Sequence, residues 1–146
     1  MVSQASTNTP GSRQVNAALL ILRIASGIVF LYHGSAILFG AFGGPGPRAF
    51  AGFMHMPAAV GYLVGLAEFG GGLAMLSGVL LRVGAAGIMT VMAGAILLVH
   101  LPHGFDVGKG GMEYALTQFL LALALFITGA GAYSLGIWLP RPLRKW

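Results

Sequence analysis

Four apolar runs constrain this chain more than any other feature: residues 17–39, 58–81, 83–101 and 114–135. A hydrocarbon core of about 30 Å needs roughly 20 helical residues, so each run is long enough to cross a bilayer. The runs are continuous rather than alternating, which excludes a transmembrane β-barrel. Composition agrees. The 146 residues are 57% hydrophobic and 8% charged, with a mean hydropathy of +0.86, against about 25% charged residues in a soluble domain. The expected fold is all-α, an integral membrane four-helix bundle of one domain over residues 17–139. A Ser/Thr/Asn/Gln-rich flexible tail, 1–16, precedes it, and a basic tail, 140–146, follows. Arg13 before an apolar run resembles a signal peptide, but Arg23 interrupts that run and no small-x-small cleavage site follows.

Charge sets the expected topology. Four spans bring both termini to one side, with Arg13, Arg82, Arg141, Arg144 and Lys145, whereas the other side carries Arg48, Lys109 and Asp106. The excess of Arg and Lys places both termini in the cytoplasm and the chain in the inner (plasma) membrane. The net charge of +5 is scattered at span ends and gives no nucleic-acid signal. The Gly/Pro loop 40–57 predicts a short interfacial helix over residues 48–56. Arg82 is expected to close the second span, and the third follows at once as its antiparallel neighbour. With no cysteine in the chain, disulfides, iron–sulfur clusters and thiol chemistry are excluded.

One residue contradicts the apolar setting. Glu68, one of only three acidic residues, lies in the first half of the stretch GLAEFGGGLAMLSGVLLR, 65–82. A charge at the bilayer centre costs on the order of 2.5–3.5 kcal/mol on insertion scales, so such a residue is a functional candidate. Gly61, Gly65 and Gly72 share its side of the helix, a small-residue face that admits a neighbouring backbone. Glu68 therefore points into the bundle and needs a partner. Arg23, on the face of the first span with Ser26, Gly27, Phe30 and Gly34, is the expected one, offset by about 9 Å along the axis. The pair reads either as a buried ion pair fixing helix register or as a polar site that grips a quinone carbonyl or relays a proton. Either reading predicts that Glu68→Gln weakens folding or assembly.

His33, His100 and Glu113 fall at the other ends of their spans. The histidines read as interfacial groups bonded to loop backbone, or as proton-exchanging groups. With Glu113 they are a possible zinc or iron set, although the spacing is not a local ligand motif. A bis-His haem has no spacing to support it, and no metal site is assigned. Glu113 also suits a helix N-terminus through the helix dipole. The candidate polar core is thus Arg23, His33, Glu68, His100 and Glu113. Tyr114 and Tyr133 could add hydroxyls but also suit a membrane interface, and the methionines read as gap-fillers. No nucleophile triad, phosphate loop or dinucleotide fingerprint is present.

The set of motifs resembles the DoxX family. It comprises the Arg-containing first span ending in LYHG (31–34), the 65–82 block, the VH–P–HG segment (99–104), GGMEYAL (110–116) and GAGAYSL (129–135). Three positions depart from the family pattern. Ile37 lies in the stretch after the HG of the first span where a Lys is often found, and Ala132 and Gly136 replace a basic and an acidic group. The resemblance implies a four-helix membrane bundle linked to respiratory or oxidative-stress chemistry. One branch of the family is a subunit of an archaeal thiosulfate:quinone oxidoreductase, and other members are similar to membrane partners of detoxification enzymes. The expected function is a membrane subunit of a redox or quinone-linked system. As an enzyme it would be at most an oxidoreductase subunit, using quinone and a partner-supplied cofactor. The expected partners are membrane lipid, a redox partner protein and a second copy of the chain. The alternatives are a non-catalytic scaffold that anchors partner proteins and a small-solute carrier. The bundle interior separates the first two. A cavity reaching the polar core favours a ligand site, and a closed core with a direct Arg23–Glu68 pair favours a scaffold.

Overall fold

A computed structural model describes residues 10–140, and the basic residues beyond Pro140 lie outside them. The described residues contain five α-helices: α1 (Pro10–Phe39), α2 (Gly46–Phe53), α3 (Ala58–Ser77), α4 (Leu81–Ala95) and α5 (Glu113–Thr128). By length and composition three helical stretches can cross a membrane, Ser12–Phe39, Ala58–Ser77 and Leu81–His103, while the apolar α5 has 16 residues. The interfacial helix expected over 48–56 is α2, shifted two to three residues toward the N-terminus.

Helix ends differ from the apolar runs for identifiable reasons. The tail expected to be flexible to residue 16 is helical from Pro10. Asn16 holds it there: its amide Nδ2 donates to Ser12 O (2.8 Å) and its Oδ1 accepts from Ala132 N (2.8 Å). The α3–α4 turn falls at residues 78–80 rather than at Arg82. Gly78 takes φ 72° and donates its N–H to Ala74 O (2.8 Å), a left-handed helix cap that suits glycine. The fourth apolar run stays apolar to residue 135, yet α5 stops at Thr128 because Gly129 (φ 79°) caps it through Leu125 O (2.9 Å). The last turn of α4 widens into a π turn over Ile96–His100.

Glycine sets the packing of α1 on α3. A Cβ on Gly34 would overlap the backbone of Phe69, and one on Gly72 would lie 2.6 Å from Leu31 N. Gly61 approaches Pro47 of α2 just as closely. Glu68 lies in the same buried stripe as Gly61, Gly65 and Gly72, as the sequence predicts. The apolar core, around Phe30, Met75, Ile88 and Leu125, lies among α1, α3, α4 and α5. Without a hydrophobic drive between helices in lipid, such close backbone contact is a main source of association energy. Gly34→Ala should therefore destabilise the fold by about 1–3 kcal/mol or more, the range for overpacking. Gly70→Ala, with no atom within 4 Å of the added Cβ, should be neutral or stabilising. Unfolding of both variants in mixed detergent checks the contrast.

Candidate functional site

Arg23 is almost fully buried, at 1% exposure, but its partners are carbonyls. Nε donates to Met75 O (2.8 Å) and Nη2 to Leu76 O (2.9 Å). Nη1 donates to Ala130 O (2.9 Å) and to Tyr133 O (2.6 Å). Met75 and Leu76 are in the last turn of α3, whose final carbonyls have no intrahelical donor and form the negative end of the helix dipole. A planar guanidinium can satisfy several such acceptors at once. Arg82 does the same for α5, donating from Nε to Phe126 O (3.0 Å) and from Nη2 to Ile127 O (3.4 Å). Ser134 Oγ donates to Gly78 O (3.0 Å). One end of the molecule is thus tied together through main-chain acceptors.

The expected Arg23–Glu68 pair does not form. Among the described residues no ion pair joins them, because all three guanidinium nitrogens point to the helix end and the 130–133 segment. Glu68 is 5% exposed, and its Oε2 is buried without a hydrogen-bond partner. An orphaned buried acceptor costs about 1–3 kcal/mol. It is tolerable where a ligand or water supplies the missing donor.

Glu68 lines a cavity of about 820 Å³. Phe30 and His33 of α1, Phe50 of α2 and Met54 just after it, Val64 of α3, Thr90 of α4 and His100 in the π turn form its walls. Tyr114, at the start of α5, adds a phenol. The walls are mostly apolar with a few converging polar groups, the usual composition of a small-molecule site. His100 Nδ1 is 2.7 Å from Gly110 O. A carbonyl only accepts, so Nδ1 carries a proton at this contact, and in a neutral ring Nε2 is then the acceptor.

Three of the five candidate residues, His33, Glu68 and His100, therefore border one cavity. Arg23 and Glu113 do not. The Glu113 carboxylate accepts from Val107 N (3.1 Å) and holds the 101–112 loop, where Asp106 Oδ1 accepts from Gly108 N (2.9 Å). Among the described residues no group of three His, Cys, Asp or Glu is placed to hold a metal ion. The sequence reading passed over Gln118, which is buried and accepts from Ser26 Oγ (3.0 Å). Its signal was the one that singled out Glu68, a polar side chain inside an apolar run. Of the methionines, Met75 fills the core, while Met54, Met56 and Met92 line the cavity.

The fold and this site define an all-helical protein with membrane-length apolar helices around a cavity with a buried, unpartnered carboxyl group. The model of the DoxX family matches residues 18–101, from α1 through the π turn. The chain belongs to the DoxX family. It is 29% identical over 111 residues to the Bacillus subtilis (strain 168) protein named "Putative oxidoreductase CatD", covering 76% of this chain and 78% of the relative. No solved structure matches.

The carbonyl clamp and the absent ion pair give opposite expectations for the two charged residues. Arg23→Lys replaces the planar fork by a single ammonium with three donors that cannot reach all four carbonyls, and should cost at least about 2 kcal/mol, given roughly 1.5–3 kcal/mol per hydrogen bond to a charged group. Glu68→Gln breaks no ion pair and exchanges one buried polar group for another of the same shape, so stability should change by less than about 1 kcal/mol, the lower end of the cost of leaving a buried polar group unpaired. This replaces the expectation that Glu68→Gln weakens the fold. A double-mutant cycle between the two positions should show no coupling beyond about 0.5 kcal/mol. Detergent unfolding of the four proteins measures it.

Proposed function

We propose that this chain is a four-span subunit of a redox or detoxification system in the plasma membrane, with both termini cytoplasmic, and that its cavity binds a quinone head group. The observation that carries this reading is the orphaned Glu68 carboxyl in the wall of an 820 Å³ apolar cavity. A quinone ring is flat, apolar and polar only at its two oxygens. It suits apolar walls that offer a carboxyl group, two imidazoles and a phenol. The α5 helix, about 24 Å long at 1.5 Å per residue, makes the fourth crossing with the irregular segments beside it. The relative's printed name, an oxidoreductase, supports the redox class. The scaffold reading rested on a closed core with an Arg23–Glu68 pair, and neither feature is present.

Each residue has a definite part. Tyr114 O–H can donate to a quinone oxygen. His100 Nε2 can accept from a quinol hydroxyl, with its tautomer fixed by Gly110 O. Glu68 can take or return a proton at the ring oxygen nearest α3. Reduction of a quinone to the quinol consumes two electrons and two protons. The electrons come from the redox cofactor of a partner protein.

Lipid extraction and mass spectrometry of the detergent-purified protein should recover a quinone, and the stripped protein should rebind an added one. Glu68→Leu and His100→Phe should each weaken rebinding about tenfold, the equivalent of one lost hydrogen bond of about 1.4 kcal/mol, with folding retained. Recovery of no quinone, together with no binding on addition, would refute the proposal.

A further inference from the structure

The α3–α4 pair is tight at its turn and open at its other end. A Cβ on Gly84 would overlap the Ala74 side chain, and one on Gly71 would lie 2.7 Å from the Ile88 side chain. At Gly87 an added Cβ would meet Ala67 at an ordinary 3.7 Å, so the helices are still in contact there. Two turns further, the same antiparallel register sets Gly94 across from Val60 and Leu63. A Cβ at Gly94 would meet nothing within 4 Å. The seam between the helices is therefore open at this level. Val60 and Leu63 on one side of the gap, and Val91, Gly94 and Leu98 on the other, all line the 820 Å³ cavity. Leu63 and Leu98 are also surface residues, 65% and 61% exposed. The cavity and the outer surface of the protein share these side chains.

We propose that this gap is the mouth of the cavity, that it faces the hydrocarbon of the membrane, and that the ligand is a membrane-dissolved molecule entering sideways between α3 and α4. This rests on the reading that the cavity holds a quinone head group. The depth of the gap supports it. The stretch Leu81–His103 is long and apolar enough to cross a membrane. Gly94 lies about 20 Å along it from Leu81 at 1.5 Å per residue, inside a hydrocarbon core of about 30 Å. The chemistry of the rim supports it too. Val60, Leu63, Val91 and Leu98 are all apolar. Thr90, exposed beside them on α4, donates its hydroxyl to Ala86 O (2.9 Å) and offers no donor to a passing molecule. A hydrated solute crossing this rim gives up hydrogen bonds to water and gains none, whereas a lipid-soluble ring has none to lose. Two other exposed residues in the cavity wall, His33 and Tyr114, are polar and stand on α1 and α5, away from the gap. Gly94 keeps the mouth open, because a side chain there would project into it.

The test times association and dissociation of a radiolabelled benzoquinone bearing a decyl tail on the full-length, detergent-purified protein held on a resin. A plugged mouth has a kinetic signature. It slows entry and exit alike and leaves Kd, their ratio, unchanged, whereas loss of a contact in the site raises Kd. Gly94→Phe and Leu63→Trp plug the gap from opposite walls, and both positions have room for the larger side chain. Each should slow both steps by about fivefold or more, with Kd within about twofold of the parent protein. Gly70→Phe, on the outer face of α3 with no atom within 4 Å of its Cβ, should leave both rates within about twofold. If both plugs leave the rates as in the parent, or raise Kd in place of slowing both steps, the mouth is not at Gly94 and the head-group site stands. If the parent protein does not bind the decyl compound, the quinone reading fails and takes this inference with it.

Discussion

The hold of Arg23 on four main-chain carbonyls is the interaction on which the rest of the structure depends. It joins α1 to the end of α3 and to the segment that follows α5, three parts of the chain far apart in sequence. In an apolar medium an unmet carbonyl costs several kcal/mol, so one cation that meets four of them outweighs the cost of its own burial. Arg82 repeats the solution for α5. Both arginines sit where helix dipoles present negative ends. Because Arg23 is met by main-chain oxygens, the buried Glu68 carboxyl is left without it as a partner.

That division separates the molecule into two ends with different chemistry. At the turn end, polar groups are fully engaged: the two arginines, Asn16, and Ser134 bonded to Gly78. At the far end, polar side chains border open volume, and Glu68 Oε2 has no partner. The α1–α3 contact, drawn close by Gly27, Gly34 and Gly72, runs from one end to the other. A ligand site needs such a support, because polar groups on mobile supports would collapse onto one another rather than wait for a ligand.

Hydropathy made the helices legible, and the acid in an apolar run made Glu68 legible. The helix ends were not. The run 114–135 is apolar throughout, and only the left-handed backbone of Gly129 ends α5 inside it. The partner of Arg23 was misread for a related reason. A sequence displays charged side chains, so an arginine suggests the nearest acid, while carbonyl acceptors are present at every residue and mark no position. The same blindness placed Glu113 in the site, when its carboxylate serves the loop N–H of Val107. Gln118 was legible by the criterion applied to Glu68 and was passed over because it carries no charge.

The cavity itself could not have been read from the residue order, because it arises from divergence of two helices rather than from any motif. Glycines at 71, 84 and 87 look alike in sequence and predict close approach equally. In the structure only Gly71 and Gly84 are used that way, while Gly87 faces Ala67 across ordinary contact distance and Gly94 faces open space. A small residue permits approach but does not compel it. Here the tight turn at residues 78–80 brings the helices into contact near Gly84, while α2 packs on the far end of α3, where Phe50 and Met54 line the cavity. The volume beside Glu68 is therefore a consequence of helix placement. Gly94, which lines it, faces open space rather than a neighbouring helix.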